Sequence, residues 1–172
     1  MTLRAWLVLG DCEYARSLFQ IPCVDKHWRC QWFATVALLR SVGYVLKNID
    51  TQASASHKAV IESEYKRLQS TKPVPEIYWE FIDRERHLVV KEYLFADRLI
   101  GATAVTSVTY LDPDTGKIET FKFDQIVDNF EVYSKSFRDG PFKGRAKLDV
   151  VDEAIAWWAT YLRGLQTQIG SP

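Results

Sequence analysis

Cysteine, histidine and glycine are scarce in this chain, with three, three and eight copies in 172 residues. An odd number of cysteines without framework spacing does not fit a secreted disulfide scaffold. Three histidines in unrelated contexts give no Ser/His/Asp order to argue from. The glycines form no phosphate loop, because no Gly-Lys-Ser/Thr follows a strand-like run. Net charge is also lacking: 22 Lys and Arg balance 22 Asp and Glu. No bulk field therefore draws the whole protein onto nucleic acid or membrane, and any polyanion site must be a local patch. No apolar run approaches the roughly 20 residues of a membrane span. The N-terminal "AWLVLG" is too short for a signal-peptide core, and Asp11, Glu13 and Arg16 follow at once. The expectation is a cytoplasmic protein with no membrane partner.

Metal and cofactor signals are equally thin. "CVDKHWRC" sets Cys23, His27 and Cys30 at i, i+4 and i+7, with Cys12 as a conceivable fourth zinc ligand. Pro22 places Cys23 at or before a helix start, so small core residues are the preferred reading. "DPDTG" resembles part of a calcium loop, but the twelfth position counted from Asp112 is Phe123, not an acid. No metal and no cofactor are expected.

What is present is an apolar fraction of 47%, enough for one domain with a real core. Residues 3–20 predict a first helix, with Leu3, Leu7, Tyr14 and Leu18 as its apolar stripe. Asp25 is a plausible N-cap for a long second helix through Lys47, striped by Trp28, Trp32, Val36, Leu39, Gly43 and Leu46. A third helix is expected over 57–69 and a fourth over 76–97. "GATAVTSVTYL", "DPDTGK" and "IETFKF" then lose the helical period and read as a β-hairpin over about 101–123. A closing helix over about 149–168 carries Val151, Ile155, Trp158, Leu162 and Leu165. The fold class is mainly α: a single-domain antiparallel helical bundle with a β-hairpin inserted before the C-terminal helix.

The fourth helix contains "DRERHLVVKEYLF", an unusual density of cations in a helix that looks buried. At 100° per residue, Tyr78, Phe81, Ile82, Leu88, Val89 and Tyr93 share one side, and Glu85 and Glu92 fall within it. A carboxylate directed into a core needs a partner, and Arg40 on the second helix is the candidate. Arg84, His87 and Lys91 lie beside this face, with Arg86 on the opposite flank. Five residues rotate an α-helix by about 140°, so one chain would hold Arg86 and Lys91 in a single site only awkwardly. A homodimer would bring them together. The plainer reading is a solvated flank in which these cations satisfy nearby carboxylates.

"ERHLVVKEY" resembles the motif helix of HEPN proteins, and the resemblance covers roughly residues 12–97. That motif is an arginine, usually followed by a polar residue, with a histidine four to six residues beyond it. Glu85-Arg86-His87 matches its first part, but position 91 is lysine where the family has histidine. Many HEPN proteins are metal-independent ribonuclease toxins or antiviral effectors; others are non-catalytic. The resemblance implies an endoribonuclease with Arg86, His87 and Lys91 as catalytic residues, RNA as substrate and an antitoxin or other protein as partner. Its alternative is a non-catalytic RNA-binding or protein-interaction module on the same scaffold.

A second patch, "SKSFRDGPFKGRAK", sets Lys135, Arg138, Lys143, Arg145 and Lys147 around Phe137 and Phe142. Cations interleaved with aromatics on a loop suit single-stranded RNA, through phosphate contact and base stacking. Arg84, Arg138, Lys143 and Arg145 are the RNA-binding candidates. The alternative is a solvated turn with Phe142 tucked onto the bundle.

Overall fold

The computed structural model describes residues 2–19, 25–93, 95, 98–100, 103–111, 116–126, 131–133 and 136–170. The chain forms two compact units, Met1–Ala96 with Lys135–Pro172, and Asp97–Ser134. The first unit is helical.

Its first helix, α1, spans Ala5–Ser17 and buries Ala5, Leu9, Cys12 and Ala15. Of the expected stripe Leu3 is buried, but Leu7 and Tyr14 are corrected here, at 73% and 67% exposed. Small side chains let α1 lie close against Asp25–Asn48 (α2) and Lys147–Gly170 (α5), so the buried face combines Leu9 with alanine and cysteine. Asp50 closes the start of this helix. Its carboxylate accepts from the backbone N–H of Arg4 at 2.8 Å and of Ala5 at 3.1 Å. Negative charge at a helix N-terminus is favourable because the first N–H groups lack helical partners.

Helix α2 spans Asp25–Asn48. It buries the expected Trp28, Trp32, Val36, Leu39 and Leu46, and also Val42. Helix α3, Ala55–Ser70, starts at Ser54, whose hydroxyl accepts from the His57 N–H at 3.2 Å. The closing helix α5 spans Lys147–Gly170, beginning two residues ahead of the expected start. Trp158 on α5 is 1% exposed and, with Trp32 and Phe81, is among the largest fully buried side chains.

The segment expected as one regular fourth helix is wider and shorter. Ile77–Asp83 is π-helical, Arg84–Arg86 is a single α-helical turn, α4, and His87–Lys91 is π-helical again. The run ends at Lys91 rather than at 97, and Tyr93 has φ of 54°. Its buried residues include Ile77, Phe81, Glu85 and Val89, each four residues after the last. Steps of four drift by about 40° each on an α-helix. On the wider winding of a π-helix, whose bonds run i→i+5, they drift the other way, so the alternation of the two windings limits the net drift. The widened winding keeps all four residues on the core side. Leu88 is only half-buried, and Tyr93 is 61% exposed, so neither completes the expected face.

Residues 136–146 form a turn that folds back on itself, with Gly144 N–H bonding Phe137 C=O at 2.8 Å. Gly144 has φ of +81°, a conformation that glycine adopts without Cβ strain. Phe137 and Phe142 are buried, and their rings meet Phe81 at 5.9 and 6.1 Å between centroids.

In the second unit the described backbone is antiparallel. Arg98–Ile100 (β1) pairs with Glu131–Tyr133 (β4), and Thr103–Leu111 (β2) pairs with Ile118–Ile126 (β3). Residues 112–115, where the expected hairpin would turn, lie outside the described residues.

Candidate functional site

The cations of the wide helix open onto a cavity of about 500 Å³. Arg84, Arg86, His87 and Lys91 line it from that helix, Arg40 from α2, and Lys72 from the preceding loop. Trp79, Glu80 and Asp83 complete the wall. Five permanent cations thus face two carboxylates, an excess of three positive charges.

The local geometry sorts these cations into committed and uncommitted ones. Arg40 donates from Nε to Asp83 Oδ1 at 3.1 Å, and Arg84 Nη1 donates to Glu80 Oε2 at 3.0 Å. Lys72 Nζ sits 4.9 Å from the centre of the Trp79 ring, a cation–π arrangement. Among the described residues Arg86 and Lys91 make no ion pair. His87 Nε2 lies 3.1 Å from Glu92 Oε1. That contact orients the imidazole and leaves Nδ1 on the other side of the ring. Arg86 also lines a smaller cavity of about 230 Å³ against Ala37, Arg40, Ser41 and Tyr44 of α2.

Three expectations are corrected by this geometry. Arg86 does not stand on a flank away from Lys91: both line the same cavity of one chain. The 140° separation assumed α-helical winding, whereas a π-helix turns less per residue and so narrows the angle between residues five apart. Arg40 pairs with Asp83, not with Glu85 or Glu92. Glu85 is indeed buried, at 7% exposure, but it accepts from Trp32 Nε1 at 3.1 Å. Glu92 is exposed and serves His87.

The loop candidates stand apart from this cavity. Arg138 and Lys143 are exposed, and Arg145 Nη2 reaches Glu153 Oε2 at 2.6 Å while lying 5.6 Å from the Phe142 ring centre. Lys147 is buried at 2% exposure, with Nζ 4.8 Å from the Trp28 ring centre and 5.3 Å from that of Trp32. Burial of Phe137 and Phe142 removes the base-stacking surface that the interleaved sequence suggested. Lys135 lies outside the described residues.

Cys12 is buried, and burial first, then the neighbouring Asp11 and Glu13 carboxylates, push its thiol up to about 12. A thiol held protonated is a poor metal ligand. Cys23 lies outside the described residues, and among those described no three His, Cys, Asp or Glu side chains come together as a metal site.

Sequence reading missed Lys72, Trp79, Glu80 and Asp83 as cavity residues. No helix among the described residues is long and apolar enough to cross a membrane. No protein-family model, curated protein or solved structure matches the chain.

Proposed function

We propose that the chain is a HEPN-like endoribonuclease of a toxin or antiviral system, acting on cytoplasmic RNA through the cavity of the wide helix. Its helical unit supplies the site, and a β-hairpin over 101–123 is its insertion. The observation that carries this reading is that Arg86, His87 and Lys91 line one cavity of one chain. A phosphodiester fits the excess positive charge, and uncommitted guanidinium and ammonium groups suit a phosphorane oxyanion. In this scheme His87 takes the proton of the ribose 2′-hydroxyl as that oxygen attacks phosphorus. The 5′-oxygen leaves and takes a proton back from the imidazolium, giving a 2′,3′-cyclic phosphate and a 5′-hydroxyl end. Arg86 and Lys91 stabilise the charge between the two steps, and no metal takes part.

The second reading is a non-catalytic RNA-binding or protein-interaction module. The lysine at position 91 favours it, since it stands where the family's histidine would shuttle protons, and an ammonium has no lone pair to act as a base. Incubation of the purified chain with single-stranded RNA in chelator decides between the two. Cleavage to cyclic phosphate ends, lost in Arg86→Ala and His87→Ala, supports the enzyme. RNA retained without cleavage, and no gain of cleavage in Lys91→His, leaves the binding module. Neither binding nor cleavage defeats both RNA readings.

A further inference from the structure

We propose that a second cavity, between α2, α3 and α5, is a binding site for a small planar anion: one aromatic ring or nucleobase carrying a single carboxylate or phosphate. The cavity holds about 290 Å³, close to the lower end of small-molecule sites and enough for one ring system with few substituents. Its apolar part is built by Leu46, Ile61 and Leu68, and its aromatic walls by Tyr65, Tyr78, Tyr161 and Trp158. Trp158 meets Tyr78 and Tyr161 edge-on, at 5.8 Å between ring centres in each case. Such walls recognise a flat ring.

The polar groups in the same walls specify an anion. Arg40, whose Nε is paired with Asp83, and Lys47, whose Nζ lies 5.0 Å from the centre of the Tyr65 ring, line the cavity, and no Asp or Glu does. The nearby Glu64 carboxylate is engaged by Arg67 at 2.8 Å and by Gln168 at 3.3 Å. The hydroxyls of Tyr65, Tyr78 and Tyr161 make no hydrogen bond among the described residues. These three hydroxyls are donors that an acceptor-rich ligand satisfies. Burial raises the Tyr78 phenol to about 12 and raises Tyr161 as well, so both remain hydroxyl donors at neutral pH.

The backbone is shaped for this space. A Cβ at Gly43 would lie 3.1 Å from Trp158 Cη2 and 3.3 Å from Arg40 Nη1. Glycine at that position therefore lets Trp158 and Arg40 stand against α2. Arg40 also walls the phosphodiester cavity, but the present proposal does not rest on that reading. Lys47 and Tyr161 line the aromatic cavity and not the phosphodiester one.

Calorimetric titration of the full chain tests the proposal, with uridine monophosphate and 4-hydroxybenzoate as probes and uridine and phenol as their neutral counterparts. At least one anion should bind saturably with Kd of about 1 mM or tighter, and its neutral counterpart about tenfold more weakly. Lys47→Met and Tyr161→Phe should each weaken that anion about tenfold, while Arg86→Ala leaves it unchanged. Uridine monophosphate alone assigns the site to phosphate, 4-hydroxybenzoate alone to carboxylate, and both together to the shared chemistry. No heat from either anion at about 10 mM, or affinity that ignores both variants while following Arg86→Ala, overturns it. Lys47 is exposed and Tyr161→Phe removes one oxygen, so both variants should fold, and melting curves verify this.

Discussion

Arg86 and Lys91 stand five residues apart in the sequence and line one cavity of a single chain. The π-helical winding of His87–Lys91 narrows the angle between them. A second copy of the chain is therefore not needed to bring the two together. RNA affinity per chain should not change with protein concentration across the micromolar range. Parallel sedimentation and RNA-binding measurements check this. Affinity that rises only as dimer forms would restore the two-chain site.

The cavity also predicts how binding responds to salt. Each phosphate neutralised by a cation on single-stranded nucleic acid contributes about −0.7 to the slope of log K against log salt. Arg86→Ala should flatten the wild-type slope by roughly that amount. Arg138→Ala should leave it nearly unchanged, because Arg138 lies on the 136–146 turn and not in the cavity wall. The reverse pattern would move the RNA interface to that turn.

Two helical glycines should respond in opposite directions to the same substitution. Gly10 on α1 has nothing within 4 Å of an added Cβ. Gly10→Ala should stabilise by about 0.5–1 kcal/mol, since alanine loses less backbone freedom in a helix. Gly43→Ala adds a methyl against the Trp158 ring, which is held in the core. Overpacking costs about 1–3 kcal/mol and outweighs the helix gain. Melting temperatures of the two variants should fall on either side of wild type.

Much of the fold was legible because it follows regular α-helical geometry. Trp28, Trp32, Val36, Leu39 and Leu46 recur at that spacing and are buried as expected. So are Val151, Trp158, Leu162 and Leu165 of α5. Trp158→Ala should accordingly cost about 3–5 kcal/mol. Where the pattern departs from α-helical winding, the reading failed. On the wide helix Tyr78, Phe81, Ile82 and Val89 are buried and Arg84, His87 and Lys91 share one cavity wall as expected, but Arg86, set on the far flank at 100° per residue, joins them. In α1 the ranking by hydrophobicity favoured Leu7 and Tyr14, whereas close packing selected Ala5, Cys12 and Ala15. In the 136–146 turn, the aromatics looked like ligand contacts because sequence does not reveal that the chain folds Phe137 and Phe142 inward.

The two cysteines with described side chains should differ in reactivity, and one of them should set part of the alkaline stability. Cys30 is exposed, whereas Cys12 is buried with its thiol raised to about 12. A thiol reagent at pH 8 should modify Cys30 in the folded chain and reach Cys12 only on unfolding, because the thiolate is the reactive form. The pH dependence follows from the same shift. Cys12 releases its proton in the unfolded chain near the ordinary value of 9.0 and in the folded chain near 12. Between those values the folded state holds more protons, so stability falls as pH rises. The contribution is fully present below about pH 8.5 and declines by up to about 1.4 kcal/mol per pH unit above it. The Tyr78 phenol, raised from 10.0 to about 12, adds to the loss over its own narrower window. Cys12→Ala removes the titrating thiol with little change in volume. Denaturant melts at pH 8, 9, 10 and 11 should show a shallower alkaline decline for Cys12→Ala than for wild type. Parallel declines would mean that the Cys12 thiol ionises alike in the folded and unfolded chains, and that its burial is not what the packing of α1 indicates.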